Sequence, residues 1–166
     1  MKTIVITGST RGLGFELAKC FRRQDFNIMI NGVNEKRLEN SLAELRAIKA
    51  DSAVTGFCGS VTETDNINAM IQKAVAKFGN IDIWVNNAGV NQPMKPMWEL
   101  TESEIDALLN IDLRAAMMGS ILARRQMEKQ SAGGFIYNVE GYGSNDAMMT
   151  GRSSDRRQFR HNLFLT

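Results

Sequence analysis

The sequence predicts an α/β protein built on a doubly wound parallel sheet. Three observations predict it. Short apolar strands alternate with segments of helical period along most of the 166 residues. The strands are apolar throughout rather than alternating with polar residues, as a sheet covered on both faces requires. The first strand also runs straight into a glycine-rich turn that opens a helix. Short connections and right-handed crossovers wind such a chain into a sheet with helices on both sides.

The elements follow in order. Thr3–Thr7 (TIVIT) is a β-branched run bounded by glycine, the first predicted strand. A helix is predicted over Gly12–Gln24, with Leu13, Leu17 and Phe21 as its inner face. Asn27–Asn31 (NIMIN) is the second strand. Glu35–Ile48 repeats apolar residues at Leu38, Leu42, Leu45 and Ile48, a helical period. Ala53–Cys58 is the third strand. Thr62 is the predicted cap of a helix reaching Phe78, with Gly79 as its stop. Ile81–Asn86 (IDIWVN) is the fourth strand. Thr101–Glu104 (TESE) reads as a capping box, opening one long helix to about Lys129. Gly134–Val139 (GFIYNV) is the fifth strand.

The bulk numbers narrow the function classes. At 43% hydrophobic and 23% charged residues the chain is globular in composition. A net charge of +2 is too weak to imply nucleic acid or an anionic membrane by itself, and neither is expected as a partner. The N-terminus, MKTIVITG, has no signal-peptide pattern, and no apolar run reaches membrane length. A cytoplasmic location is expected. Cys20 and Cys58 read as free thiols, a disulfide being the alternative. No His, Cys or carboxylate cluster has metal-ligand spacing.

The turn from Thr7 to Gly14 reads T-G-S-T-R-G-L-G and carries the first functional signal. Gly8 lets the chain leave the strand tightly, Gly12 lets backbone approach a pyrophosphate, and Gly14 lets the helix pack closely. The helix start then offers free N–H groups and partial positive charge to phosphates. Arg11, inside this turn, is placed to meet a 2′-phosphate on an adenine ribose. NAD would call for an acid at the end of the second strand; Asn31-Gly32-Val33-Asn34 has no carboxylate before Glu35, which favours NADP. A merely solvated Arg11 is the alternative.

Asn86-Asn87-Ala88-Gly89 ends the fourth predicted strand, and Asn138–Ser144 (NVEGYGS) follows the fifth. With TGSTRGLG, these segments strongly resemble the short-chain dehydrogenase/reductase family from Met1 to about Gly151. The last loop looks more like chlorophyll(ide) b reductase members and their bacterial relatives. The resemblance implies a Rossmann-type fold and NAD(P)-dependent hydride transfer between the cofactor and a small carbonyl or alcohol substrate. It places Gly8, Ser9, Thr10, Arg11, Gly12, Leu13 and Gly14 around the cofactor phosphates. Ser60 and Val61 would lie at the adenine, and Asn87, Ala88 and Gly89 along the ribose. Asn86 would steady the central strands. The family's catalytic Asn aligns with Asp112, which reads equally as an ordinary polar helix residue. Its catalytic serine position is Gly141 here, which leaves Ser144 as the candidate, with a plain loop serine as the alternative. Members are usually homo-oligomeric.

The family's catalytic tyrosine has a lysine four residues on, whose charge favours the phenolate. Here Tyr137 is followed at that spacing by Gly141, and Tyr142 by Asp146. Tyr137, inside a strand, reads as a packing residue. Beyond Gly151 the composition breaks: Arg152, Arg156, Arg157 and Arg160 crowd a stretch of unpatterned apolar spacing, and the last lysine is Lys129. The expectation is an incomplete nucleotide-binding domain over residues 1–151 and an irregular tail over 152–166, C-terminally incomplete through a frame shift, alternative exon or truncation. Phe135, Ile136 and Val139 are then expected at an uncovered edge. A natural basic tail for an anionic partner is the competing account, and a non-catalytic dinucleotide-binding protein is the alternative function.

Overall fold

The structure, a computed structural model, describes residues 1–49, 53–90 and 95–139. Five strands form one sheet: β1 (Thr3–Ile6), β2 (Asn27–Gly32), β3 (Val54–Cys58), β4 (Ile83–Asn86) and β5 (Phe135–Asn138). Their order is β3-β2-β1-β4-β5 and every pairing is parallel. The chain builds outward from β1 in one direction, then returns to β1's other side for β4 and β5. That reversal creates a crevice beyond the carboxyl ends of β1 and β4.

The helices are α1 (Gly12–Arg23), α2 (Glu35–Ile48), α3 (Thr64–Phe78), α4 (Glu102–Leu108) and α5 (Ala115–Met127). Two apolar cores result from the alternation of side chains along the strands. Ile4, Ile6, Ile28 and Ile30 face α1 and α2, meeting Phe15, Ala18, Leu38 and Leu45. Val5, Met29 and Trp84 face α3 and α5, meeting Ile67, Met70, Ala74 and Ala123. Each fully buried aliphatic side chain contributes roughly 1.5–3 kcal/mol of transfer free energy.

Four local expectations need correction. Leu13 is exposed, and α1 instead buries Phe15, Ala18 and Arg22, with Leu17 and Phe21 half-buried. The helix starts at Gly12 as predicted, but its sheet-facing stripe lies about one residue later, and Leu13 stays at the mouth of the glycine turn. Thr62 does not cap α3. Its hydroxyl and N–H both turn to the Ser60 hydroxyl, at 2.8 and 3.3 Å, and the helix begins after Glu63. The predicted long helix is interrupted: Leu109–Arg114 is a π-helical segment between α4 and α5. An extra residue in a turn re-aims the side chains there, and such segments concentrate at functional sites. Tyr137 does not pack inside; it is exposed on β5. Phe135 and Val139 are exposed as expected, whereas Ile136 packs against α5's core.

The capping box at Thr101 is present, both its hydrogen bonds formed with Glu104. Asn34 caps α2 through the Arg37 N–H. Both cysteines are exposed free thiols. Among the described residues no helix is long and apolar enough to cross a membrane.

Candidate functional site

The glycine turn and the segment after β4 meet in the crevice. Gly8 has φ +58, and a Cβ there would stand 2.6 Å from the Ala88 Cα. A Cβ on Gly14 would overlap the Asn87 side-chain amide and reach 3.0 Å from the Ser9 Cα. Gly14 therefore admits Asn87 rather than the strand itself. Gly12 has φ +57 with open space beside it, a backbone that a ligand can approach.

Hydrogen bonds weld these two segments. The Thr7 hydroxyl oxygen accepts the N–H groups of Asn87 and Ala88 at 2.9 and 3.0 Å. The Asn87 side chain donates to the carbonyls of Thr7 and Gly8, at 2.9 and 3.0 Å. The crevice floor is thus fixed before any ligand arrives. Above it, α1 starts at Arg11 with no side-chain cap and no acid in its first turn. A helix start left open in this way attracts an anion through its free N–H groups and dipole. Arg11 is exposed at the same mouth.

The predicted site residues divide by what they present. Gly12, Leu13 and Arg11 are exposed around the α1 start, and Gly89 is exposed on the opposite side. Ser9 is wholly buried: its hydroxyl donates to the Ile6 carbonyl at 2.5 Å and accepts from the Asn31 N–H at 3.0 Å. Its side chain shapes the turn rather than facing a ligand. Thr10 is also buried, against Gly32, and its carbonyl receives the Ser41 hydroxyl at 3.1 Å. The Val61 side chain belongs to the core, while Ser60 is half-buried at the start of the α3 turn.

The π-helical segment brings Asp112 to this site. Its carboxylate accepts the Val90 N–H at 2.8 Å, and a Cβ on Gly89 would be 3.3 Å from the same oxygen. Partial burial pushes the Asp112 carboxyl above the ordinary value of 3.8, outweighing the Val90 N–H. Arg114, from the same segment, donates to the Thr62 carbonyl at 2.7 Å, linking it to the loop before α3. Ser144 lies outside the described residues, as do the loop after β5 and the arginine-rich tail.

Asn86 ties the site to the far strand. Its side-chain amide donates to the Ser120 hydroxyl at 2.9 Å and to the Asn138 side chain at 2.8 Å. It also accepts the Trp84 indole N–H at 2.7 Å. Gly119 is needed for this, since a Cβ there would overlap the Asn86 oxygen. Sequence reasoning missed Asn31, Thr7 as an acceptor, and Ser120. Only Asn31 carried a usable signal, as a buried amide at the end of an otherwise apolar strand. Among the described residues no group of three His, Cys, Asp or Glu is placed to hold a metal ion.

The short chain dehydrogenase family model matches residues 2–150. A probable chlorophyll(ide) b reductase of Arabidopsis thaliana chloroplasts is 33% identical over 162 residues, covering 86% of this chain and 32% of its own length. The (S)-acetoin-forming diacetyl reductase of Staphylococcus epidermidis is 36% identical over 138 residues, covering 83% of this chain and 52% of its own. The crystal structure of levodione reductase superposes with a TM-score of 0.82 at 25% identity, over 89% of this chain and 57% of that one. The chain thus spans about a third to a half of the length of these curated relatives.

Proposed function

This chain belongs to the short-chain dehydrogenase family, and from that membership we propose that it binds NADP(H) in the crevice between β1 and β4. The observation that carries the reading is the open start of α1, uncapped and free of acid, facing exposed Gly12 and Arg11. The pyrophosphate would rest on those first-turn N–H groups. Arg11 would meet the 2′-phosphate, with no carboxylate at the end of β2 to oppose it. Ser60 and Val61 would border the adenine, Val61 through its backbone, and Asn87, Ala88 and Gly89 the ribose of the nicotinamide half. Ser9 and Thr10 would hold the turn's shape from inside.

When bound, the nicotinamide supplies a hydride to a carbonyl carbon, or takes one from an alcohol. The relatives named for reducing diacetyl and chlorophyll(ide) b fit a carbonyl substrate. On the chain's side, the Asp112 carboxylate is held by the Val90 N–H beside Gly89. A carboxylate has further lone pairs to accept from a water, and so can hold one where the family's Asn stands. Ser144 is the serine proposed to meet the substrate oxygen. In these 166 residues neither tyrosine has a lysine four positions on, so the acid that protonates the carbonyl oxygen is missing from its usual place. The chain is therefore proposed to hold cofactor with little or no turnover. The second reading, a dinucleotide binder without catalysis, rests on that same observation.

Titration of the purified chain with NADPH and NADH, followed by nucleotide fluorescence, tests this. NADPH should bind more tightly than NADH, and Arg11→Ala should weaken NADPH about tenfold while leaving NADH nearly unchanged. Saturation by neither nucleotide would sink the reading. Equal affinity for both would remove the NADP preference alone.

A further inference from the structure

Asn31 is a polar residue in a strand whose other buried positions are apolar, and it is almost completely buried. Asn is a poor strand residue, so its place at the end of β2 calls for a reason. Its side chain supplies one. The side-chain oxygen accepts the Gly8 N–H at 3.2 Å. The side-chain nitrogen donates to the carbonyls of Phe57 and Gly59, at 3.1 and 2.9 Å. The main chain adds two bonds to Ser9: the Asn31 N–H to the Ser9 hydroxyl at 3.0 Å, and the Ser9 N–H to the Asn31 carbonyl at 2.8 Å.

The pattern also fixes the amide's orientation. Turned over, the amide would set its NH2 against the Gly8 N–H and its oxygen against two carbonyls. No other short side chain meets the requirement. A carboxylate has no hydrogen to give those carbonyls, and a hydroxyl has only one. A single amide therefore staples the turn leaving β1 to the loop leaving β3. It also consumes the Gly8 N–H, which leaves phosphate contacts to the first turn of α1.

We propose that Asn31 is a positioning residue for the dinucleotide, setting the spacing between the phosphate-facing turn Gly8–Gly14 and the adenine-facing loop Gly59–Val61. This rests on the proposed cofactor site. The adenosine half of the cofactor must bridge those two loops, and Asn31 touches both from beneath without reaching the ligand.

The test uses 2′,5′-ADP, the adenosine half alone, with NADPH alongside. The full chain, Asn31→Ala and Asn31→Asp are titrated at a temperature where circular dichroism shows each folded. Leu45→Ala, a buried α2 residue that touches neither loop, serves as a control for lost stability. Both Asn31 variants should raise the Kd for 2′,5′-ADP about tenfold, and Leu45→Ala should leave it unchanged. A wild-type Kd in either folded Asn31 variant overturns the proposal. So does an equal weakening by Leu45→Ala, which would make the effect one of stability alone. Should neither Asn31 variant fold, amide exchange in the unaltered chain decides. The Gly8 amide should be protected without ligand and gain nothing from NADPH, while the amides of Gly12, Leu13 and Gly14 gain protection. A Gly8 amide that exchanges freely until NADPH is added overturns the proposal. Failure of the unaltered chain to bind either ligand would instead bring down the cofactor site itself.

Discussion

The two edges of the sheet are finished differently. At the β3 edge, the carbonyls of Val54 and Gly56 point away from the sheet, since those of the alternate residues point toward β2. Lys77 and Lys73 of α3 donate to these two carbonyls, at 3.2 and 2.7 Å. Lysine over an edge strand both satisfies its backbone and repels a second strand. At the β5 edge, Phe135, Tyr137 and Val139 are 64%, 55% and 39% exposed, and of the strand only Ile136 packs inward. Among the described residues nothing plays the part of Lys73 and Lys77 there. The difference distinguishes two sides of one continuous sheet. Strands β1 to β3 form the guarded side, which carries the proposed cofactor turn. Strand β5 joins the sheet through its parallel ladder with β4, and Asn86 and α5 tie it further.

Removing the link should give the largest effect. Asn86→Ala deletes three side-chain hydrogen bonds and leaves the buried Trp84 indole N–H without its acceptor. The expected cost is about 2–4 kcal/mol. The comparison sharpens if amide exchange rises first at Phe135–Asn138 while Ile4–Ile6 and Ile28–Ile30 stay protected. Uniform loss of protection would break it, making the sheet one cooperative unit despite its unequal edges.

The glycine turn and the segment after β4 were the parts most legible in the sequence. Gly8, Gly14 and Asn86-Asn87-Ala88-Gly89 announce themselves by type and spacing, because close backbone approach admits few residues. The strands were legible because burial on both faces leaves them apolar. The boundaries of function were less legible. Ser9 looks like a ligand contact by position, yet a buried hydroxyl turns to the nearest carbonyl, here that of Ile6. The π-helical segment leaves no mark in the apolar pattern, since Ile105, Leu108 and Leu109 suit an ordinary helix equally well. Its position depends on a distant partner, the Val90 N–H that Asp112 accepts. The lysine guard at β3 was invisible for the same reason: Lys73 and Lys77 sit four apart on a helix, and only the fold shows which carbonyls they reach.

A change of intermediate size concerns the guarded edge itself. Lys73→Ala with Lys77→Ala should cost only about 1 kcal/mol for each lysine. Its clearer sign should be self-association, since the β3 edge becomes as open as that of β5. Light scattering at increasing protein concentration should show the double variant heavier than the unaltered chain. Phe135→Lys should act in the opposite sense at the other edge. If the double variant scatters no more than the unaltered chain, the two edges differ in appearance only.

The smallest effect is expected in acid, on the β5 side. Glu104, at the start of α4, is held by the Lys95 ammonium and by the Thr101 N–H and hydroxyl. The Lys95 hydrogen bond foremost, then those from Thr101, lower its carboxyl from 4.5 to about 2. A depressed acid contributes stability that is complete above its unfolded value and lost as pH falls through the folded one. The capping contact should therefore fade between pH 4.5 and about 2. The guarded edge has no carboxylate in its lysine–carbonyl bonds, so it should keep its exchange protection while α4 loosens. Glu104→Gln keeps much of the capping geometry without the charge. Its melting temperature should differ from that of the unaltered chain above pH 4.5 and converge with it as the pH falls to about 2. A constant gap across that range would mean that the Lys95–Glu104 pair adds nothing to the fold, and that α4 is held by its Thr101 cap alone.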